Sequence, residues 1–175
     1  MRGPLLISSD YRAQQRELHE RNANYGTGGH RWATAVKTYA MRLGCLSILD
    51  YGAGPGRLHQ ALAGEGFDFR DYDPAMPGID TPPEPADMVT CCDAMEHVEP
   101  ECIDAVLDHI QSLARKMVYF VIPSSHSLKT LADGRNAHLT QQPLEWWLPK
   151  IEARWPKVVN AHMVGIDSII VARAA

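Results

Sequence analysis

The 175-residue sequence has no continuous apolar run near the ~18 residues that cross a bilayer. Residues 1–7 are too few and too weakly apolar to read as a secretory leader. The expectation is a cytoplasmic protein with no membrane partner. Cysteine is sparse: Cys45, Cys91, Cys92 and Cys102 are the four, and none forms a Cys-x-x-Cys pair. That pattern fits small buried side chains in a reducing compartment, and no metal site is expected from it. No block of lysine or arginine stands out, and the net charge is −4. A broad basic face for non-specific nucleic-acid binding is therefore missing, although a local basic groove on an acidic protein is compatible with the sequence. There is no internal repeat and no low-complexity tail.

What is present is an ordinary globular composition, 45% hydrophobic and 22% charged, at a length suited to one domain. The chain is organised around residues 48–58, Ile-Leu-Asp-Tyr-Gly-Ala-Gly-Pro-Gly-Arg-Leu. A mostly apolar run, 45–49, reads as a buried strand that ends at Asp50. Gly52, Gly54 and Gly56 follow at alternate positions, and then an apolar-periodic helix begins with Leu58, Ala61 and Leu62. Strand, glycine turn and helix make a ligand cradle, because glycine allows tight turns and close approach to the main chain. The dinucleotide fingerprint is Gly-x-Gly-x-x-Gly. Here the spacing is Gly-x-Gly-x-Gly after an acid, which would repel a pyrophosphate. An amino-acid zwitterion suits it better: its carboxylate takes the helix amides, and its ammonium or a water faces Asp50. The stretch resembles the first motif of class I S-adenosylmethionine-dependent methyltransferases.

Before the cradle, residues 11–22 read as a solvated helix, 25–30 as a glycine-rich loop that is either a connector or a lid, and 31–43 as a helix stopped by Gly44. After it come a short helix at 57–63 and a second strand at 67–72. An acid about 20 residues past the glycine turn is the expected partner of a ribose diol. Asp73 fits that role, with Asp71 as runner-up. Residues 75–86 carry Pro77, Pro82, Pro83 and Pro85, which resist helix and strand. The family's usual third-strand unit is therefore shortened or absent, and Asp80 is the preferred adenine contact.

Residues 87–92 read as a central strand, followed by Asp93 and the turn Met95-Glu96-His97-Val98. Pro100 suits a helix start, and Ile103, Val106, Leu107, Ile110 and Leu113 mark a buried stripe. A further strand spans 117–122. Such a turn after an Asp-led strand strengthens the resemblance, which covers about 45–123. It implies a Rossmann-like three-layer α/β sandwich, with a mostly parallel sheet and a C-terminal antiparallel hairpin at 157–164 and 168–172. It also implies S-adenosylmethionine as cofactor, S-adenosylhomocysteine as product, and cofactor contacts from Asp50, Gly52, Ala53, Gly54, Gly56, Asp73 and Asp93. One methyltransferase domain is expected over 1–175: a helical cap or lid at 1–44, a cofactor half at 45–123, and a substrate-side segment and closing hairpin at 124–175.

The donor in methyl transfer is a sulfonium with a neutral thioether leaving group, so alignment supplies most of the rate and a base is needed only for a protonated nucleophile. The candidate bases are His97, His126 and His138, with a brace for the following helix as the other reading of His97. Arg135 and Asn136 suit a polar acceptor. Trp146 and Trp147 suit either a planar acceptor or the core. The chain lacks the Asp/Asn-Pro-Pro-aromatic tetrad of amino-group nucleic-acid enzymes and the Pro-Cys pair of cytosine-carbon enzymes. The leading expectation is methylation of an oxygen or nitrogen of a small molecule. The alternatives are a nucleic-acid or modified-nucleotide methyltransferase, with a basic rim from Arg31, Lys37, Lys129 and Arg135, and a non-catalytic cofactor-binding module. The protein is expected to be a monomer or a homodimer, the latter through the shortened sheet edge near Asp73.

Overall fold

A computed structural model describes residues 4–174. The first three residues of the 1–7 stretch, read above against a leader, lie outside the described residues, as does Ala175. Among the described residues, no helix is long and apolar enough to cross a membrane.

Six strands form one sheet: β1 (Ser47–Tyr51), β2 (Asp68–Tyr72), β3 (Ala86–Cys92), β4 (Ala114–Pro123), β5 (Lys157–Val164) and β6 (Asp167–Arg173). Their order is β2-β1-β3-β4-β6-β5. The first four are parallel, and β6 runs antiparallel to both β4 and β5. Side chains alternate across a strand, and the sequence uses both faces. Leu49, Val89, Val118 and Phe120 face one apolar layer, with α4 (Ile103–Leu113) and α5 (Leu144–Glu152). Ile48, Met88, Met117 and Val121 face the other, with α2 (Ala33–Arg42) and α3 (Arg57–Leu62). Strands buried on both faces read as apolar runs, and the result is the expected three-layer α/β sandwich with a closing antiparallel hairpin.

No helix or strand forms between β2 and β3, so β2 is the sheet edge. The prolines of 75–86 explain this, and the third-strand unit is absent as expected. Three local readings change. β1 begins later than 45–49 and runs through Asp50 to Tyr51, because β2 and β3 flank it there. The helix read at 31–43 starts as a 3-10 turn, Gly28–Trp32, that packs against α3. α5 carries Pro149 without breaking, since burial of Trp147 and Ile151 holds the turn on either side.

A third apolar cluster sits above the strand ends. There α1 (Ser9–Arg21) meets the 124–142 segment through Tyr11, Leu18, Tyr25, Leu131 and Ala137. The Ser8 side chain caps α1 by accepting from the Tyr11 amide, and it donates to Glu99 Oε1 at 2.7 Å. This contact spans 91 residues and pins the first helix over the sheet.

Candidate functional site

Beneath α1, at the C-terminal ends of β1, β2 and β3, lies an open cleft. Clefts at the carboxyl ends of the strands are where open α/β sheets bind ligands. Its floor carries Gly52, Gly54 and Asp93 and its walls Asp73 and His97; its roof carries Tyr11, Gln15, His19 and Tyr25.

The glycine turn shapes the floor by absence of side chains. Gly52 has φ +81°, and a Cβ there would lie 2.5 Å from the Ala94 Cβ. The turn amides are engaged within the protein. Gly52 N and Ala53 N both donate to Tyr72 O, at 2.8 and 3.1 Å, and Gly56 N donates to Ala53 O at 3.0 Å. Gly54 N donates to Asp73 Oδ2 at 3.0 Å. Asp73 also accepts from Ala75 N at 2.9 Å, so its carboxylate is fixed at the cleft wall.

Asp50 lies one layer below. It faces its register partner Thr90, whose hydroxyl donates to Oδ1 at 2.9 Å. Burial drives its pKa up to about 7; the Thr90 hydrogen bond opposes the rise, and Asp71, Asp73 and Asp93 add to it. Asp50 does not line the cleft. The runner-up Asp71 turns away to His59 (2.8 Å) and a shallower hollow that also includes Gly56. Asp80 is half-buried and outside the cleft lining. Asp93 adopts φ +54°, rare for a residue with a side chain and a sign of backbone held at a site. Its Oδ2 accepts from Arg31 at 3.0 Å, whereas Oδ1 is buried without a partner.

The three candidate histidines part company. His97 lines the cleft, and its Nδ1 lies 2.7 Å from Ala137 O. Burial, reinforced by neighbouring His138, pushes its pKa down to about 3. The ring is therefore uncharged near neutral pH, and its Nδ1 is held by the Ala137 carbonyl. His138 stacks edge-on to His97 with ring centroids 4.7 Å apart, behind the cleft wall. His126 is exposed and outside the cleft lining. Trp147 is core and Trp146 packs edge-on against it, so neither offers a stacking face in the cleft.

A methyltransferase-domain family model matches residues 12–164. The chain belongs to that methyltransferase family. Among solved structures, this methyltransferase is similar to 1,6-didemethyltoxoflavin-N1-methyltransferase of Burkholderia thailandensis, determined with 1,6-didemethyltoxoflavin and S-adenosylhomocysteine. The TM-score is 0.68 at 17% identity, covering 100% of this chain and 93% of that one. It is also similar to magnesium protoporphyrin IX methyltransferase of Synechocystis PCC 6803, determined with S-adenosylmethionine, with TM-score 0.64, 17% identity, and coverage of 95% and 94%. No curated protein matches the chain.

The roof of this methyltransferase was missed in the sequence. Residues 11–22 read as a solvated helix, yet Tyr11, Gln15 and His19 form one stripe over the cleft. Their four-residue spacing was the available signal. Gln15 donates to the Tyr11 hydroxyl, the Tyr25 hydroxyl donates to Gln15 Oε1 at 2.9 Å, and the Tyr11 hydroxyl donates to His97 O at 2.6 Å. Gly26 of the glycine-rich loop also lines the cleft.

Proposed function

We propose that this chain transfers a methyl group from S-adenosylmethionine to an oxygen or nitrogen of a small molecule, leaving S-adenosylhomocysteine. The observation that carries the reading is the cleft itself. In a chain of the methyltransferase family, it opens at the ends of β1–β3, with Asp73 fixed at its wall and Asp93 at its floor. Asp73 receives the ribose hydroxyls, since a carboxylate anchored by two amides still has lone pairs for two donors. Gly52, Ala53, Gly54 and Gly56 shape the turn that lets the cofactor approach the backbone. Asp93, with its free Oδ1, takes the ammonium, and buried Asp50 supports that level from below through Thr90.

Within this reading 1–44 forms the roof, 45–123 holds the cofactor, and 124–175 completes the acceptor side and the sheet. The four free cysteines go with a cytoplasmic enzyme. Transfer rests on alignment of sulfonium methyl and nucleophile in a partly desolvated cleft. The small-molecule class is favoured by the pairing of the proposed basic rim: Arg31 pairs with Asp93, Lys37 with Glu65, and Arg135 with Asp133. Lys129 donates to Asn22. Little free positive charge is left there for a polyanion. The two solved relatives with small-molecule acceptors point the same way.

The test is S-adenosylhomocysteine formation with a panel of hydroxyl- and amine-bearing metabolites, run beside oligonucleotides. Turnover on a free metabolite is expected; turnover only on a polymer would replace the small-molecule reading.

A further inference from the structure

Behind the cleft wall three side chains converge with nothing between them. Glu96 and His97 come from the turn after β3, and His138 comes from the 124–142 segment. The proton positions on both rings follow from their neighbours. His97 Nδ1 lies 2.7 Å from Ala137 O and 3.2 Å from the Tyr25 hydroxyl, whose own proton goes to Gln15. His138 Nδ1 lies 2.6 Å from Ser125 O. A carbonyl can only accept, so each Nδ1 carries the hydrogen and each Nε2 presents a lone pair.

Those two Nε2 atoms lie 3.7 and 3.9 Å from Glu96 Oε1. Glu96 is fully buried, and neither of its carboxylate oxygens has a hydrogen-bond partner. Three acceptors therefore face one another without a donor, an arrangement that is costly unless a cation completes it. Separations of 3.7 and 3.9 Å are too long for a shared proton to make a hydrogen bond. They suit two ligands of one metal ion, since bonds of about 2.1 Å place tetrahedral ligands roughly 3.4 Å apart. All three ligand atoms lie within 4.8 Å of one another. Rings fixed through Nδ1 by a carbonyl are also how metal-binding histidines are held.

We propose that Glu96, His97 and His138 bind one divalent transition-metal ion, of the zinc or manganese class, with an open position on the side where His97 lines the cleft. Two imidazoles and one carboxylate form a ligand set that leaves room for an exogenous oxygen. Resting on the methyl-transfer reading, that position takes a hydroxyl oxygen of the acceptor. The hydroxyl proton leaves to solvent, the oxygen forms the new O–C bond, and the S–C bond breaks with its electron pair passing to sulfur. The sequence alone gave no such site, because His138 is 41 positions from His97 and is brought beside it only by the 124–142 segment.

Chelator-stripped protein titrated with Zn²⁺ and with Mn²⁺ by calorimetry tests this. One equivalent is expected for at least one ion, weakened tenfold or more by Glu96→Gln and by His138→Gln and unchanged by His162→Gln on exposed β5. Co²⁺ loading of the unmodified chain gives a second readout that needs no variant: a visible absorption band of a low-coordinate nitrogen and oxygen site. Absence of stoichiometric binding, or equal binding by all variants, overturns the proposal. S-adenosylhomocysteine binding to the stripped protein is measured in parallel. If the cofactor product binds and no metal does, only the metal site falls; if metal binds and the cofactor product does not, the methyl-transfer reading falls.

Discussion

Replacing Gly52 by alanine isolates the contact that sets the cleft floor. Two costs act there. The backbone has φ +81°, where a Cβ costs about 1–2 kcal/mol. The new Cβ would also lie 2.5 Å from the Ala94 Cβ, and relieving such overpacking typically costs about 1–3 kcal/mol. Gly64 supplies the control: its φ is +82°, and a Cβ there meets nothing within 4 Å. Gly64→Ala thus reports the backbone cost alone, and the difference between the variants reports the collision. In urea denaturation, Gly52→Ala should lose about 1–3 kcal/mol more than Gly64→Ala. For a chain of this size that difference corresponds to roughly 2–12 °C in melting temperature. Ala94→Gly should recover most of the excess, because it removes the other half of the collision. Equal losses for the two alanine variants would refute the close packing of the glycine turn against the turn after β3.

Asp50 gives a stability change with a defined sign. Its folded pKa is raised by burial to about 7 from 3.8, so its stabilising contribution is complete below about pH 4 and is lost as pH rises through 7. The full effect is on the order of 4 kcal/mol at most, and Asp50→Asn, which keeps an acceptor for Thr90, should be less sensitive between pH 5 and 8; parallel slopes in denaturant titrations would contradict the buried acid. Ser8→Ala removes both the α1 cap and the hydroxyl bond to Glu99 Oε1, leaving the backbone bond to Oε2, and should cost about 1–2 kcal/mol, with faster proteolytic cleavage within α1 than in the unmodified chain.

Much of the architecture was legible because it rests on local rules. The family resemblance implied the mostly parallel sheet, and the prolines between Pro77 and Pro85 identified the missing strand unit. The order of the glycine turn, Asp73 and the Glu96–His97 turn identified the family. The site was less legible because its polar groups are committed by partners far away in the chain. Nothing local indicates that the glycine-turn amides are taken by Tyr72 O and Asp73. Likewise, α1 becomes a roof through the bond from Ser8 to Glu99, and His138 reaches His97 through a segment with little regular structure. His126, in that same segment, ends in solvent. Residue type marks a histidine as a candidate, and only the path of the backbone decides which one meets a ligand.

The most direct measurement is calorimetric titration of the protein with S-adenosylhomocysteine, set beside NAD and beside the Asp73→Asn variant. Methyl transfer through this cleft predicts one saturable site for S-adenosylhomocysteine, none for NAD, and an affinity lowered tenfold or more when Asp73 loses its charge. No binding of S-adenosylhomocysteine to a folded protein, or binding indifferent to Asp73, would contradict it.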